Sequence, residues 1–97
     1  MNLQEIKQTL KEKMPEIKEK YSVKNLYIFG SYVRGEQTPE SDIDILVEFE
    51  KGKKTFDNYM DLKFYLEDLF GKKVDLIIKE AVKPRLKKYI YEEAISV

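Results

Sequence analysis

Leu26-Tyr27-Ile28-Phe29-Gly30-Ser31, followed after ten residues by Asp42-Ile43-Asp44-Ile45-Leu46-Val47, holds two apolar runs and the turn that separates them. The first run is short, aromatic and β-branched and stops at a Gly-Ser pair, which predicts a buried strand entering a turn. The second, continuing to Phe49, predicts another strand. Alternation along it places Asp42 and Asp44 on one face, about 7 Å apart, and turns Ile43 and Ile45 toward helices on the other. From Tyr32 to Ser41 the composition is polar, with Gly35 and Pro39, which fits a brief helical turn and then a loop.

On the N-terminal side, Leu3, Ile6, Leu10, Met14 and Ile17 recur at steps of three and four, the apolar stripe of an amphipathic helix. Pro15 interrupts it, so the stripe predicts either a second short helix starting there or a kink after Lys13. On the C-terminal side, Lys51-Gly52-Lys53-Lys54 reads as a turn. Phe56, Tyr59, Met60, Phe64, Leu66 and Phe70 mark a helix capped by Gly71, and Lys73 to Ile78 forms a third strand. Pro84 opens a final helix carrying Leu86, Tyr89, Ile90 and Ala94. With no repeat and no linker, residues 1–97 read as a single domain of class α/β (α+β), a small three-stranded sheet flanked by helices.

Composition narrows the chemistry. The 97 residues include no Cys and no His, which excludes disulfides, thiolate chemistry, imidazole-based triads and a histidine zinc site. Catalysis would have to run on carboxylates, Lys, Arg, Tyr or Ser, with a hard metal ion. Eighteen Lys plus Arg balance eighteen Asp plus Glu, which argues against a broad nucleic-acid footprint and leaves room only for a local basic patch; no direct nucleic-acid binding is expected. No run approaches the roughly 18 apolar residues of a membrane helix, and the start, Met1-Asn2-Leu3-Gln4-Glu5, lacks a signal-peptide layout. The expected location is the cytoplasm, with no membrane partner.

Two carboxylates side by side repel unless a cation lies with them, and Mg²⁺ takes oxygen ligands while keeping waters for substrate oxygens to replace. The plainer reading has Asp42 capping the loop and Asp44 facing solvent. Asp75 lies within the apolar strand Val74-Asp75-Leu76-Ile77-Ile78, where an ionised group calls for a partner, although a strand edge tolerates a stray charge. Gly30 lets backbone approach a ligand, and Ser31 could cap a helical turn whose free N–H groups suit phosphate; an ordinary strand-to-helix turn needs the same pair. Arg34 could reach a phosphate oxygen or pair with Glu36 or Glu40. Taken jointly, Gly-Ser, ten residues, then Asp-x-Asp should arise by chance in a chain this long only roughly once in several hundred.

Gly30-Ser31-Tyr32-Val33-Arg34-Gly35 together with Ser41 to Val47 resembles the nucleotidyltransferase superfamily that includes DNA polymerase β. The short chain is most similar to the minimal nucleotidyltransferases, the antitoxin partners of HEPN-domain toxins. The resemblance implies a mixed sheet and Asp42 and Asp44 holding two Mg²⁺ ions on a triphosphate. It also implies that Asp75 is the third carboxylate, beside the acceptor hydroxyl, and that Gly30 and Ser31 seat the triphosphate. Members often read Gly-Ser-Arg-Ala-Arg-Gly, whereas Tyr32-Val33 stands here, with Tyr32 expected to pack on the sheet. The implied activity is transfer of AMP from ATP to a tyrosine of a HEPN ribonuclease toxin in a hetero-oligomer. Lys79 to Val97 is a candidate partner-facing segment or a solvated basic face. A binding-only antitoxin and a small-molecule nucleotidyltransferase are the alternatives.

Overall fold

The computed structural model describes all residues from Met1 to Val97. Helix α1 (Leu3–Tyr21) leads into β1 (Val23–Phe29), a single helical turn α2 (Ser31–Arg34) and β2 (Ile43–Phe49). Helix α3 (Phe56–Phe70), β3 (Val74–Ile78), a 3₁₀ turn (Lys79–Ala81), α4 (Pro84–Glu93) and β4 (Ile95–Ser96) complete the chain. The strands form one mixed sheet in the order β3-β2-β1-β4. β1 runs antiparallel to β2 and β4, whereas β2 and β3 are parallel, joined through α3.

Local chemistry accounts for these elements. The Asn2 side chain accepts from the Glu5 N–H while the Glu5 carboxylate accepts from the Asn2 N–H, a reciprocal cap on α1. Thr55 caps α3, and Gly71, at φ +62°, ends it with its N–H on the Glu67 carbonyl at 2.8 Å. β2 then divides its residues between two faces. Ile43, Ile45 and Val47 join Ile6, Leu10, Ile17, Leu62 and Leu66 in the main core under α1 and α3. Leu46 packs on the opposite face with Phe29 and Val82, beneath Ile90 and Ala94 of the α4 region. Burying one such Ile or Leu contributes about 1.5–3 kcal/mol. Odd positions of β2 therefore hold the main core; of the even ones, Leu46 fills the smaller core and Asp44 and Glu48 are left for other work.

Two expectations need amendment. The sheet has a fourth strand, Ile95–Ser96, pairing with Ile28 and Tyr27; two residues carry no periodicity from which to read it. Pro15 does not start a second helix: α1 continues through it. Tyr32, as expected, packs into the main core and is 4% exposed.

Candidate active site

The strand register brings the carboxylates together. Asp44, the second residue of β2, lies opposite Phe29 of β1 on one side and opposite Asp75 of β3 on the other. Parity puts both aspartates on the face away from α1 and α3, since their neighbours Ile43, Ile45, Val74 and Leu76 fill the main core. Asp44 is half-buried, whereas Asp75 and Asp42, one residue before β2, are exposed. Burial, then the charges of Asp75 and Asp42, push the Asp44 carboxyl up to about 6; Arg34 pulls weakly the other way.

Gly30 explains the close fit on the β1 side. Its backbone sits at φ +81° and ψ −154°, a region natural only to glycine, and a Cβ there would overlap the Asp44 carboxylate. The residue is thus required both by the turn and by the carboxylate beside it. Ser31 departs from expectation: Gly30 occupies the cap position, Ser31 is the first helical residue, and no side chain caps α2.

Arg34 does pair with Glu36, as the plainer reading anticipated, through Nε at 2.6 Å. Its Nη1 meets a group that sequence reading missed: Oε1 of Glu93, also at 2.6 Å. The other oxygen of Glu93 accepts from the Gly30 N–H at 2.8 Å. The two carboxylates, Glu36 foremost, hold the guanidinium firmly charged. Glu93 stands 63 positions from Gly30 at the end of α4, so only the folded topology could reveal it. Further along the same sheet face the Tyr27 hydroxyl donates to Glu48 at 2.6 Å, and Lys79 lies 3.7 Å from Glu48 and 4.8 Å from the Tyr27 ring centre. That cluster fixes the 3₁₀ turn against the sheet.

The donor set suits a hard divalent cation. It consists of carboxylate oxygens with no imidazole or thiolate, and the crowding that raises Asp44 would be relieved by positive charge between the carboxylates. The three aspartates do not close into a cage for an ion by themselves. An ion that shares its shell with water and substrate oxygens needs no such cage.

Residues 5–97 match the family described as Nucleotidyltransferase domain. MJ1379 of Methanocaldococcus jannaschii, provisionally named a protein adenylyltransferase, is 50% identical over 97 residues, covering 98% of this chain and 97% of its own. Protein adenylyltransferase MntA of Thermococcus cleftensis is 38% identical, covering 100% and 97%. A solved structure provisionally described as a minimal nucleotidyltransferase superposes at a TM-score of 0.82 with 33% identity, covering 100% of this chain and 97% of that one. The same fold, at 20% identity and a TM-score of 0.64 over 92% of this chain and 69% of that one, recurs in a complex of a tri-AMPylated Shewanella oneidensis HEPN toxin with its MNT antitoxin.

Proposed function

The chain belongs to the nucleotidyltransferase domain family, and from that premise we propose that it is a cytoplasmic antitoxin that transfers AMP from ATP to a tyrosine of a HEPN-type ribonuclease toxin. The observation that carries the reading is the Asp44–Asp75 pair, with Asp44 set flush against Gly30 and Asp42 adding a third charge. The adenylyltransferase names of relatives covering nearly the whole chain support the transferred group, and the fold shared with an antitoxin complexed to a HEPN toxin supports the partner class.

In this reading Asp42 and Asp44 would hold Mg²⁺ against triphosphate oxygens, and Asp75 would hold it on the acceptor side. When bound, two such ions supply charge that lowers the acceptor hydroxyl's pKa and offsets the charge of departing pyrophosphate. Gly30 would offer its N–H and Arg34 its guanidinium to phosphate oxygens, with Ser31 beside them, which orients the α-phosphorus for in-line attack. The tyrosine oxygen then forms a bond to the α-phosphorus as the bond to pyrophosphate breaks. Asp75, the exposed member of the pair, would take up the hydroxyl proton in this reading. The surroundings are strongly acidic, and Arg34 is already paired with Glu36 and Glu93. A triphosphate without a divalent ion would be repelled, so ATP binding should require Mg²⁺.

Neutralisation follows from charge: an AMP group near a ribonuclease centre repels and occludes RNA. Intact mass spectrometry on the HEPN partner incubated with this protein, ATP and Mg²⁺ tests the reading. AMP-sized increments on the partner, lost with Asp44→Ala or without Mg²⁺, are expected. A stable, protective complex with no modification by any nucleoside triphosphate would overturn transfer and favour simple masking.

A further inference from the structure

Glu93 occupies two of the anion donors of the site. One of its oxygens accepts from the Gly30 N–H at 2.8 Å and the other from Arg34 Nη1 at 2.6 Å. A carboxylate bridging a backbone N–H and a guanidinium uses the same donors in the same way as two phosphate oxygens would. The contact is partly shielded, with the Glu93 side chain 19% exposed, while Arg34 remains 50% exposed.

We infer that Glu93 is a built-in competitor for the phosphate seat: nucleotide binds there only as the Glu93 carboxylate withdraws from Gly30 and Arg34, so this residue sets nucleotide affinity. The inference rests on the reading above, in which those two groups receive the triphosphate.

The surroundings make withdrawal inexpensive. Glu93 is the final residue of α4, a helix with no fully buried side chain, and the strand after it pairs through only two residues. Rotation about the flexible Glu side chain would itself release both donors. Arg34 would keep its place meanwhile, because Nε stays on Glu36 and leaves Nη1 turned toward the vacated position. Removing the Glu93 charge would also relieve repulsion of the incoming triphosphate by an already acidic corner.

Calorimetric titration of ATP in excess Mg²⁺ into the wild type, Glu93→Gln and Arg34→Ala separates the possibilities. Glu93→Gln, which keeps shape and loses charge, should tighten binding by about three- to tenfold, the range of a partly exposed, charge-assisted pair. Arg34→Ala should weaken it. Unchanged or weaker binding by Glu93→Gln, with Arg34→Ala still weakened, would overturn the competitor role and make Glu93 a positioning residue for Arg34. Unchanged binding by Arg34→Ala would instead take Arg34 out of the phosphate seat and overturn the competitor role, while AMP transfer itself stands or falls on the mass measurement above. A measurement on the wild type guards against a variant that fails to fold. The Gly30 amide resonance should shift on saturation with ATP and Mg²⁺ as its acceptor changes from carboxylate to phosphate; an unmoved resonance overturns the inference.

Discussion

Asp44 is a carboxyl kept where its charge is unwelcome. Burial first, then Asp75 and Asp42, raise it to about 6 from an ordinary value near 3.8. The folded chain therefore binds its proton more tightly than the unfolded chain does, and stability falls as pH climbs from the ordinary value to about 6. Above that window the full cost applies. Asp44→Asn removes it, so without divalent ions the variant should melt several degrees above the wild type at pH 8, and the difference should vanish below pH 4. The gain should be about 1–2 kcal/mol, once the ~1.4 kcal/mol per pKa unit is discounted for solvent screening. Mg²⁺ should narrow the gap by binding the wild-type carboxylates. Equal melting at pH 8 would mean that water already relieves the crowding. Most of this site that could be read in advance lies in one stretch, where Gly30, Asp42 and Asp44 signal themselves by spacing; Asp75, in a separate strand, signals itself by its apolar setting. Glu93 gives no such sign, since nothing in Tyr91-Glu92-Glu93 distinguishes one glutamate from the other until α4 is laid on the sheet. Ser31 shows the reverse error, a good capping residue standing one position too late to cap.

The elements that could be read were those with a full period of apolar residues, and the two surprises arise where a local rule met tertiary packing. In α1, Ile6 and Leu10 before Pro15 and Ile17 and Tyr21 after it are all buried, so packing on both sides keeps the helix continuous through the proline. Pro15 itself is exposed, where water can take the Lys11 carbonyl that the missing N–H leaves free. Packing wins, and the local cost persists. Pro15→Ala should therefore raise stability by about 1–2 kcal/mol, less than the full ~3 kcal/mol of an interior proline because alanine also loosens the unfolded chain. In thermal unfolding that is a gain of roughly 5–10 °C for a chain of this size. An unchanged melting temperature would show that the helix accommodates the ring without strain. The fourth strand is the opposite case, with no local rule at all. Ile95–Ser96 is extended because the open edge of β1 has donors and acceptors to satisfy, and the Val97 N–H continues the pairing onto the Leu26 carbonyl at 3.1 Å.

Across the whole molecule the sheet separates stability from chemistry. One face is filled by α1 and α3, and the other carries the aspartates and is only partly covered by α4. No helix is long and apolar enough to cross a membrane. With Asp42 and Asp75 exposed, there is little in the chain to enclose an acceptor, which accords with an acceptor presented by another protein. α4 is the surface that we propose meets it. Tyr89 is 71% exposed and Leu86 41%, and Arg85 and Lys88 stand exposed around them, a combination of aromatic anchor and positive charge that fits an acidic, apolar-bearing face of the proposed toxin. Because Glu93 terminates the same helix, a partner seated on its last turn would lie beside the phosphate seat. Tyr89→Ala should weaken association with the HEPN partner by about ten- to thirtyfold, as loss of a central aromatic anchor does. Arg85→Glu with Lys88→Glu should mainly slow association and flatten its dependence on salt. Both variants should leave Mg²⁺-dependent ATP binding as it is in the wild type, because none of these side chains contacts Gly30, Arg34 or the aspartates. Binding kinetics on an immobilised partner, run beside the calorimetry, would decide it: unchanged affinity in both variants would place the partner on another surface, and lost ATP binding would mean that α4 had been displaced from the sheet.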